Sequence, residues 1–398
     1  MVIRSALFAL AAAGMAMSPL PAAPADPYTV AAYYFPGYHP HPRNDARLGK
    51  GWTEWELVKA AKPRFEGHVQ PKVPAWGYED ESTPAAFEKK IAAASGNGVD
   101  VLLFDWYWHE KDGPFLERAL EEGFLKAPGR AKVKFALMWA NHDWVDIFPA
   151  KAGVPHRLLY PGPVSRATFD RATDHVIKAY FSQPNHWAID GKPYFSIYET
   201  MTLVKGLGGV EQTRAALDGF RARAKAAGFP GIHLNAVAWG LQPVAGVTDP
   251  GELVAKLGID SVTSYCWIHH NGPPGFPAAS YETWSGQAAQ QWAVQKAKWK
   301  VPYHPNVSMG WDSSPRTTQT DAFKNVGYPY TGVGVGNTPA AFKAALARCK
   351  AFLDQDPADP RILTINAWNE WTEGSYLEPD TVNGMGYLQA IKDVFAGQ

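Results

Sequence analysis

The chain is short of cysteine, of net charge and of long apolar runs. Only two cysteines occur, Cys266 and Cys349, and neither has a neighbour at metal-site or redox-motif spacing. A chain of 398 residues needs no disulfide framework, and buried free thiols are the simpler reading of the pair. Lys plus Arg and Asp plus Glu both total 38, so the formal net charge is zero, and like charges never run together for long. Phosphate polymers are bound by a concentrated basic face, so no nucleic-acid partner is expected; a neutral polymer or small neutral ligand suits this balance. After the N-terminal leader no segment reaches membrane-spanning length. Glycine-rich phosphate loops, the GxSxG elbow, His-Glu-x-x-His spacing and calcium-loop patterns are missing too. That argues against nucleotide use, serine hydrolysis and a metal site, and no cofactor is expected.

The first residues read MVIRSALFALAAAGMAMSPLPAAPAD: one Arg, an apolar stretch from Ala6 to Met17, then small residues ending in Ala23-Pro24-Ala25. This is the layout of a secretory signal peptide over residues 1–25, with export to the periplasm or the medium expected. The apolar stretch is too short to cross a bilayer comfortably and is followed by prolines.

What the chain has in excess is aromatic surface, with 16 Trp and 17 Tyr, residues that join a flat apolar face to a polar edge. Short β-branched or aromatic runs recur at Thr29 to Phe35, Val99 to Trp106, Val133 to Trp139, Tyr194 to Tyr198, His233 to Ala238, Ser261 to Tyr265, Asn306 to Met309 and Ile362 to Ala367. Between several of them lie Ala-, Lys- and Glu-rich stretches such as TPAAFEKKIAAASGNG from Thr83, with a Thr cap, an early Pro and a closing Gly. Eight strands alternating with crossovers predict an α/β fold, a single (β/α)8 TIM barrel over residues 26–398. The stretches after the first, third and sixth runs are long and rich in Pro, Gly and aromatics, which predicts long βα loops over a site.

The C-terminal ends of barrel strands carry the active site in characterised barrel enzymes. Here those ends read YYFPGYH, FDWYWHE, MWANHDW, IYE, AWG, YCWIHH, GWD and WNEWTEG. Each presents an aromatic, and most add a carboxylate or His. A hydrophobic core would not need Asp105, Asp143, Glu199, Asp312, Glu370 and Glu373 there, because unpaired buried carboxylates are costly. Aromatic faces pack on sugar C–H patches while polar groups take the hydroxyls, so a carbohydrate ligand is expected. The expected sugar-binding residues are Tyr34, Trp52, Glu54, Asp105, Trp106, Trp108, Trp139, Asn141, His142, Asp143, Glu199, Trp239, Trp267, His269, Trp311, Asp312, Asn369 and Trp371. Clustered His and Asp at 141–143 and 269–270 fit sugar binding or local hydrogen bonding better than metal ligation.

Glycoside hydrolysis uses two carboxyl groups, one to protonate the leaving oxygen and one as base or nucleophile. Glu370 and Glu373 fall where the last strand ends, and are the catalytic candidates. Residues three apart on a strand face opposite ways, so the chain must leave strand geometry near Trp371 for both to enter one cavity; Gly374 is consistent with that turn. The alternative is that one or both pair with Arg or Lys or cap the next helix.

The stretches AAYYFPGYHPHPRND, GKGWTEWELVKAAKPRFEGHVQPKVP, MWANHDW and INAWNEWTEGSYLEPD resemble the WbsX-type family, whose domain is related to glycoside hydrolase family 99. The resemblance covers nearly all of the chain after the leader. It implies the same barrel and, from family 99, endo-acting, retaining cleavage of α-mannosidic bonds. It further implies that Glu370 deprotonates the sugar 2-hydroxyl, which attacks the anomeric carbon to give a 1,2-anhydro sugar, and that Glu373 is the acid and base. WbsX-type relatives commonly carry Asn-Glu-Asn-Trp and then arginines after the third strand, where this chain has Asn141-His142-Asp143-Trp144 and then VDIFP. The loop HHNGPPGFPAASYETW has no counterpart in the resemblance. Both differences fall on the expected substrate rim. The function expected is thus an exported glycoside hydrolase, with a WbsX-type glycosyltransferase or a non-catalytic carbohydrate-binding barrel as alternatives.

Overall fold

The computed structural model describes residues 27–395 except 245, 357 and 358; the expected signal peptide at 1–25 lies outside them. Nine parallel strand segments build the centre: β1 Thr29–Tyr34, β2 Val101–His109, β3 Lys134–Trp139, β4 Lys192–Ile197, β5 His233–Val237, β6 Ser261–Thr263, β7 Tyr303–His304, β8 Asn306–Ser308 and β9 Ile362–Asn366. They pair in the order β7-β6-β5-β4-β3-β2-β1-β9-β8. Pro305 alone separates β7 from β8. It has no N–H to give the ladder, yet its carbonyl still accepts from Thr364 N at 2.9 Å. β7 and β8 therefore form one stave that joins β6 to β9, and the eight-staved TIM barrel closes.

The helical signals sit where they were read. Helix Pro84–Gly96 is capped by Thr83, whose hydroxyl accepts from Ala86 N, and Pro84 stands in its first turn. Helices Val210–Ala226 and Pro339–Leu353 form in further Ala-rich stretches between strands. Pro and Gly interrupt periodicity in the long βα loops, which instead hold small elements such as the hairpin of Trp144–Val145 with Leu158–Tyr160. Another is the parallel pair of Ala278–Ser280 with Val333–Val335. Both cysteines are free and buried. Among the described residues no helix is long and apolar enough to cross a membrane.

Candidate active site

Strand alternation decides which aromatics reach the site, because successive side chains point to opposite faces. On β2, Asp105 and Tyr107 line a cavity at the strand ends, while Trp106 and Trp108 point outward and pack on Tyr180 and His175. On β3, Met138 and the following Ala140 line the cavity, and Trp139 turns away to stack on Phe169 at 6.0 Å. On β1, Tyr34 turns outward to Phe87 and Phe104 and donates to Glu81 at 2.7 Å, whereas the next residue, Phe35, lines the cavity. The cavity measures about 560 Å³.

Of the residues expected to bind sugar, Asp105, His142, Asp143, Glu199, Trp239, His269 and Trp311 line this cavity, together with Glu370 and Glu373. The others are placed elsewhere, and most are occupied with protein contacts. Trp106, Trp108, Trp139 and Tyr34 face outward as above. Trp267 is buried, donating to Asn306 O at 2.8 Å. Trp371 stacks on Tyr376 with ring centres 3.7 Å apart and donates to Glu378. Trp52 lies behind the cavity residue Phe148, at 5.6 Å. Asn141 pins the backbone of Glu199, bonding both its N–H and its carbonyl, and Asn369 does the same for Phe35. Asp312 is buried and accepts from Gln70 at 2.7 Å and pairs with His68 at 2.8 Å. Burial opposes its charge, but the His68 bond and the Lys72 charge hold its carboxyl below the usual range.

The expected departure from strand geometry is present. After β9 the chain makes a one-turn 3₁₀ helix at Trp371–Glu373, and Gly374 follows in the left-handed region at φ 62°. A Cβ on Gly374 would meet the Asp312 side chain at 2.6 Å, so glycine is required twice over, by conformation and by space. This turn brings Glu370 and Glu373 to the same guanidinium. Arg316, from the turn Ser314–Arg316 after β8, reaches Glu370 Oε1 at 2.6 Å, Glu373 Oε1 at 2.7 Å and Glu54 Oε2 at 3.0 Å. Tyr328 OH donates to Glu373 Oε1 at 2.7 Å, and Thr372 Oγ1 donates to Glu54 Oε2 at 2.6 Å. Glu54 is thus the outer partner of Arg316 and stands behind the cavity wall.

One cation faces three buried carboxyls, so full ionisation would leave an uncompensated charge in a poorly solvated place. Burial raises Glu370 well above the ordinary carboxyl value; Arg316 opposes the rise, while Glu373, Glu54 and Asp105 add to it. Burial also raises Glu373, against the Arg316 charge and the Tyr328 hydrogen bond. Asp105 is raised well above its usual value, again by burial first. Among the described residues, Glu370 Oε2 and Asp105 Oδ1 have no hydrogen-bond partner.

Arg316, Tyr328, Tyr107, Tyr198 and Tyr265 were not singled out from the sequence, yet all five line the cavity. Tyr107 was legible as the residue two along from Asp105 on the same strand face. Arg316 and Tyr328 lie in loop sequence without periodicity and carry no local signal.

A family model described as Glycosyltransferase WbsX matches residues 30–391. The chain belongs to the WbsX family. The uncharacterized protein WxcX of Xanthomonas campestris pv. campestris (strain B100) is 28% identical over 376 residues, which is 92% of this chain and 49% of the relative. WxcX of a second strain of that organism is 29% identical over the same lengths. This WbsX-family chain therefore spans about half the length of the curated relatives it matches. Among solved structures it is similar to the GH99 endo-alpha-mannosidase from Bacteroides thetaiotaomicron, with TM-score 0.56 and 13% identity over 92% of this chain and 95% of that one. It is also similar to a glycoside hydrolase-like protein, with TM-score 0.58 and 15% identity over 96% and 98%. At these identities the likeness establishes the fold alone, a TIM barrel.

Proposed function

We propose that the chain is an exported glycoside hydrolase cleaving within a polysaccharide or oligosaccharide, with Glu370 and Glu373 as its catalytic pair. The observation that carries this is a single guanidinium holding both carboxyls at the wall of an aromatic cavity, with Glu370 Oε2 left unpartnered. Carbohydrate is the ligand class, supported by the aromatic lining and by glycosidase-like neighbours.

In the retaining route, Glu370 takes the proton of the sugar 2-hydroxyl as that oxygen attacks the anomeric carbon. The bond to the leaving oxygen breaks, and Glu373 supplies its proton. Water then attacks the anomeric carbon of the 1,2-anhydro sugar; Glu373 accepts the water's proton and Glu370 returns its own to the 2-oxygen. One proton held by the pair leaves one acid and one base; the route needs it on Glu373, although burial raises Glu370 the more strongly. Attack from within the ring needs a 2-oxygen on the face opposite the leaving group, a condition that α-mannosidic bonds meet.

The test is product release from α-mannans and bacterial heteropolysaccharides, read by reducing-end assay and mass spectrometry. Oligosaccharides are expected from the wild type, and Glu373→Gln is expected to lower turnover by about 10²- to 10⁴-fold with unchanged folding. Full activity in Glu373→Gln removes the assignment. The family description favours a second reading, glycosyl transfer; tight calorimetric binding of a nucleotide sugar, with no hydrolysis of any glycan, would establish it instead.

A further inference from the structure

We propose that the cavity selects glycans bearing a protonated amino sugar, and that Asp105 is the carboxylate that receives the ammonium. This deepens the hydrolase reading and rests on it for the ligand being a glycan. Asp105 is 4% exposed and lies in the cavity wall. Its Oδ2 accepts a hydrogen bond from Tyr265 at 3.1 Å, while Oδ1 has no partner. A buried polar atom left unmatched is costly, so the unpartnered oxygen of a carboxyl in the cavity wall is a position for a ligand donor to complete.

A neutral hydroxyl would complete it, but the surroundings favour a cation. Among the cavity's Asp, Glu, Lys and Arg side chains, Asp105, Asp143, Glu199, Glu370 and Glu373 are acids and Arg316 is the base. Arg316 is already engaged by three carboxyls. The two lining histidines add no positive charge near neutrality, because burial lowers both His142 and His269, the latter to about 3. Rings complete the environment. Tyr265, which touches Asp105, sits edge-on to Tyr198 at 5.3 Å and stacks on His269 at 5.8 Å, and Tyr107 follows Asp105 on the same strand face. A carboxylate among aromatic faces is the composition that holds ammonium groups. Uronic acids and phosphorylated or sulfated sugars would meet unbalanced negative charge and be rejected.

Burial raises the Asp105 carboxyl above its ordinary value, against the hydrogen bond from Tyr265. Entry of an ammonium favours the ionised form. The bound form is then a carboxylate paired with the ammonium.

The experiment measures binding, so that loss of turnover does not bear on it. Glucosamine, galactosamine and mannosamine are titrated at pH 7 against their N-acetylated forms and the parent hexoses, by saturation-transfer NMR and by calorimetry. At least one amine is expected to bind at least tenfold more tightly than its parent hexose. Asp105→Asn is expected to abolish that margin. Amines that bind no better than hexoses, or a preference that survives Asp105→Asn and is lost in Glu370→Gln, would overturn the proposal. A preference present in wild type and lost in Asp105→Asn, alongside no turnover of any glycan, leaves Asp105 assigned and removes only the hydrolase reading.

Discussion

At the scale of single residues, Arg316 matters most for the electrostatics of the site. It is 6% exposed, and its guanidinium is the cation to which Glu54, Glu370 and Glu373 all bond. Removing one partner of a buried ion pair costs about 3–5 kcal/mol, because the charge left behind is uncompensated. Arg316→Met should therefore destabilise the protein by about that amount at pH 7. The sign of the pH dependence follows from the carboxyls. Without the cation the folded pKa values of Glu370 and Glu373 rise further above the unfolded ones, so their contribution is fully present below the unfolded values and lost as pH rises. The penalty of Arg316→Met should shrink toward pH 4, and denaturant titrations at pH 4, 5.5 and 7 check this; a penalty independent of pH would mean that Arg316 acts by packing alone.

At the scale of elements, helix Pro84–Gly96 shows what was legible and what was not. Its start, its cap and its end could be read from local sequence, since capping and helix-breaking act within a turn. Its role at the site could not. Lys90 on its buried face pairs with Glu81 and Glu378. Glu378 in turn accepts the indole N–H of Trp368 at 2.9 Å and of Trp371 at 2.8 Å, the two tryptophans that bracket Glu370. Partners so far apart in sequence leave no local trace. The same division runs through the site. Strand ends exposed Asp105, Glu370 and Glu373 to reading, whereas Trp106, Trp108 and Trp139 looked equivalent until strand phase sent them outward, and Arg316 came from an irregular loop. Lys90→Met leaves two buried carboxyls facing each other and should cost about 3–5 kcal/mol. Adding Glu81→Gln and Glu378→Gln should recover most of that loss in chemical denaturation, and failure to recover would mean that Lys90 contributes through its packing against Phe87 and Tyr34.

At the scale of the whole molecule, two populations of buried groups pull stability in opposite directions with pH. Asp105, Glu370, Glu373 and Glu81 are all raised, burial being the first cause in each, with Glu81 carried to about 7. Their contribution is complete below the unfolded carboxyl values and lost as pH climbs. His41, His109, His186, His269 and His304 are lowered, again first by burial, to between about 3 and about 4. Their contribution is complete above the ordinary histidine value of about 6.5 and lost as pH falls toward the folded values. Between pH 7 and pH 5 the two effects oppose each other. Below about pH 4 the acids have no more to give, so protonation of buried histidines should drive acid unfolding. His304 is 1% exposed and its Nδ1 has no partner; a displacement from about 6.5 to about 3 corresponds to about 4–5 kcal/mol lost in acid. His304→Gln should move the midpoint of acid unfolding, followed by circular dichroism, to lower pH even though it weakens packing at pH 7. A midpoint that stays put or rises would place the acid trigger in depressed carboxyls such as Asp312, whose contribution is likewise lost as pH falls.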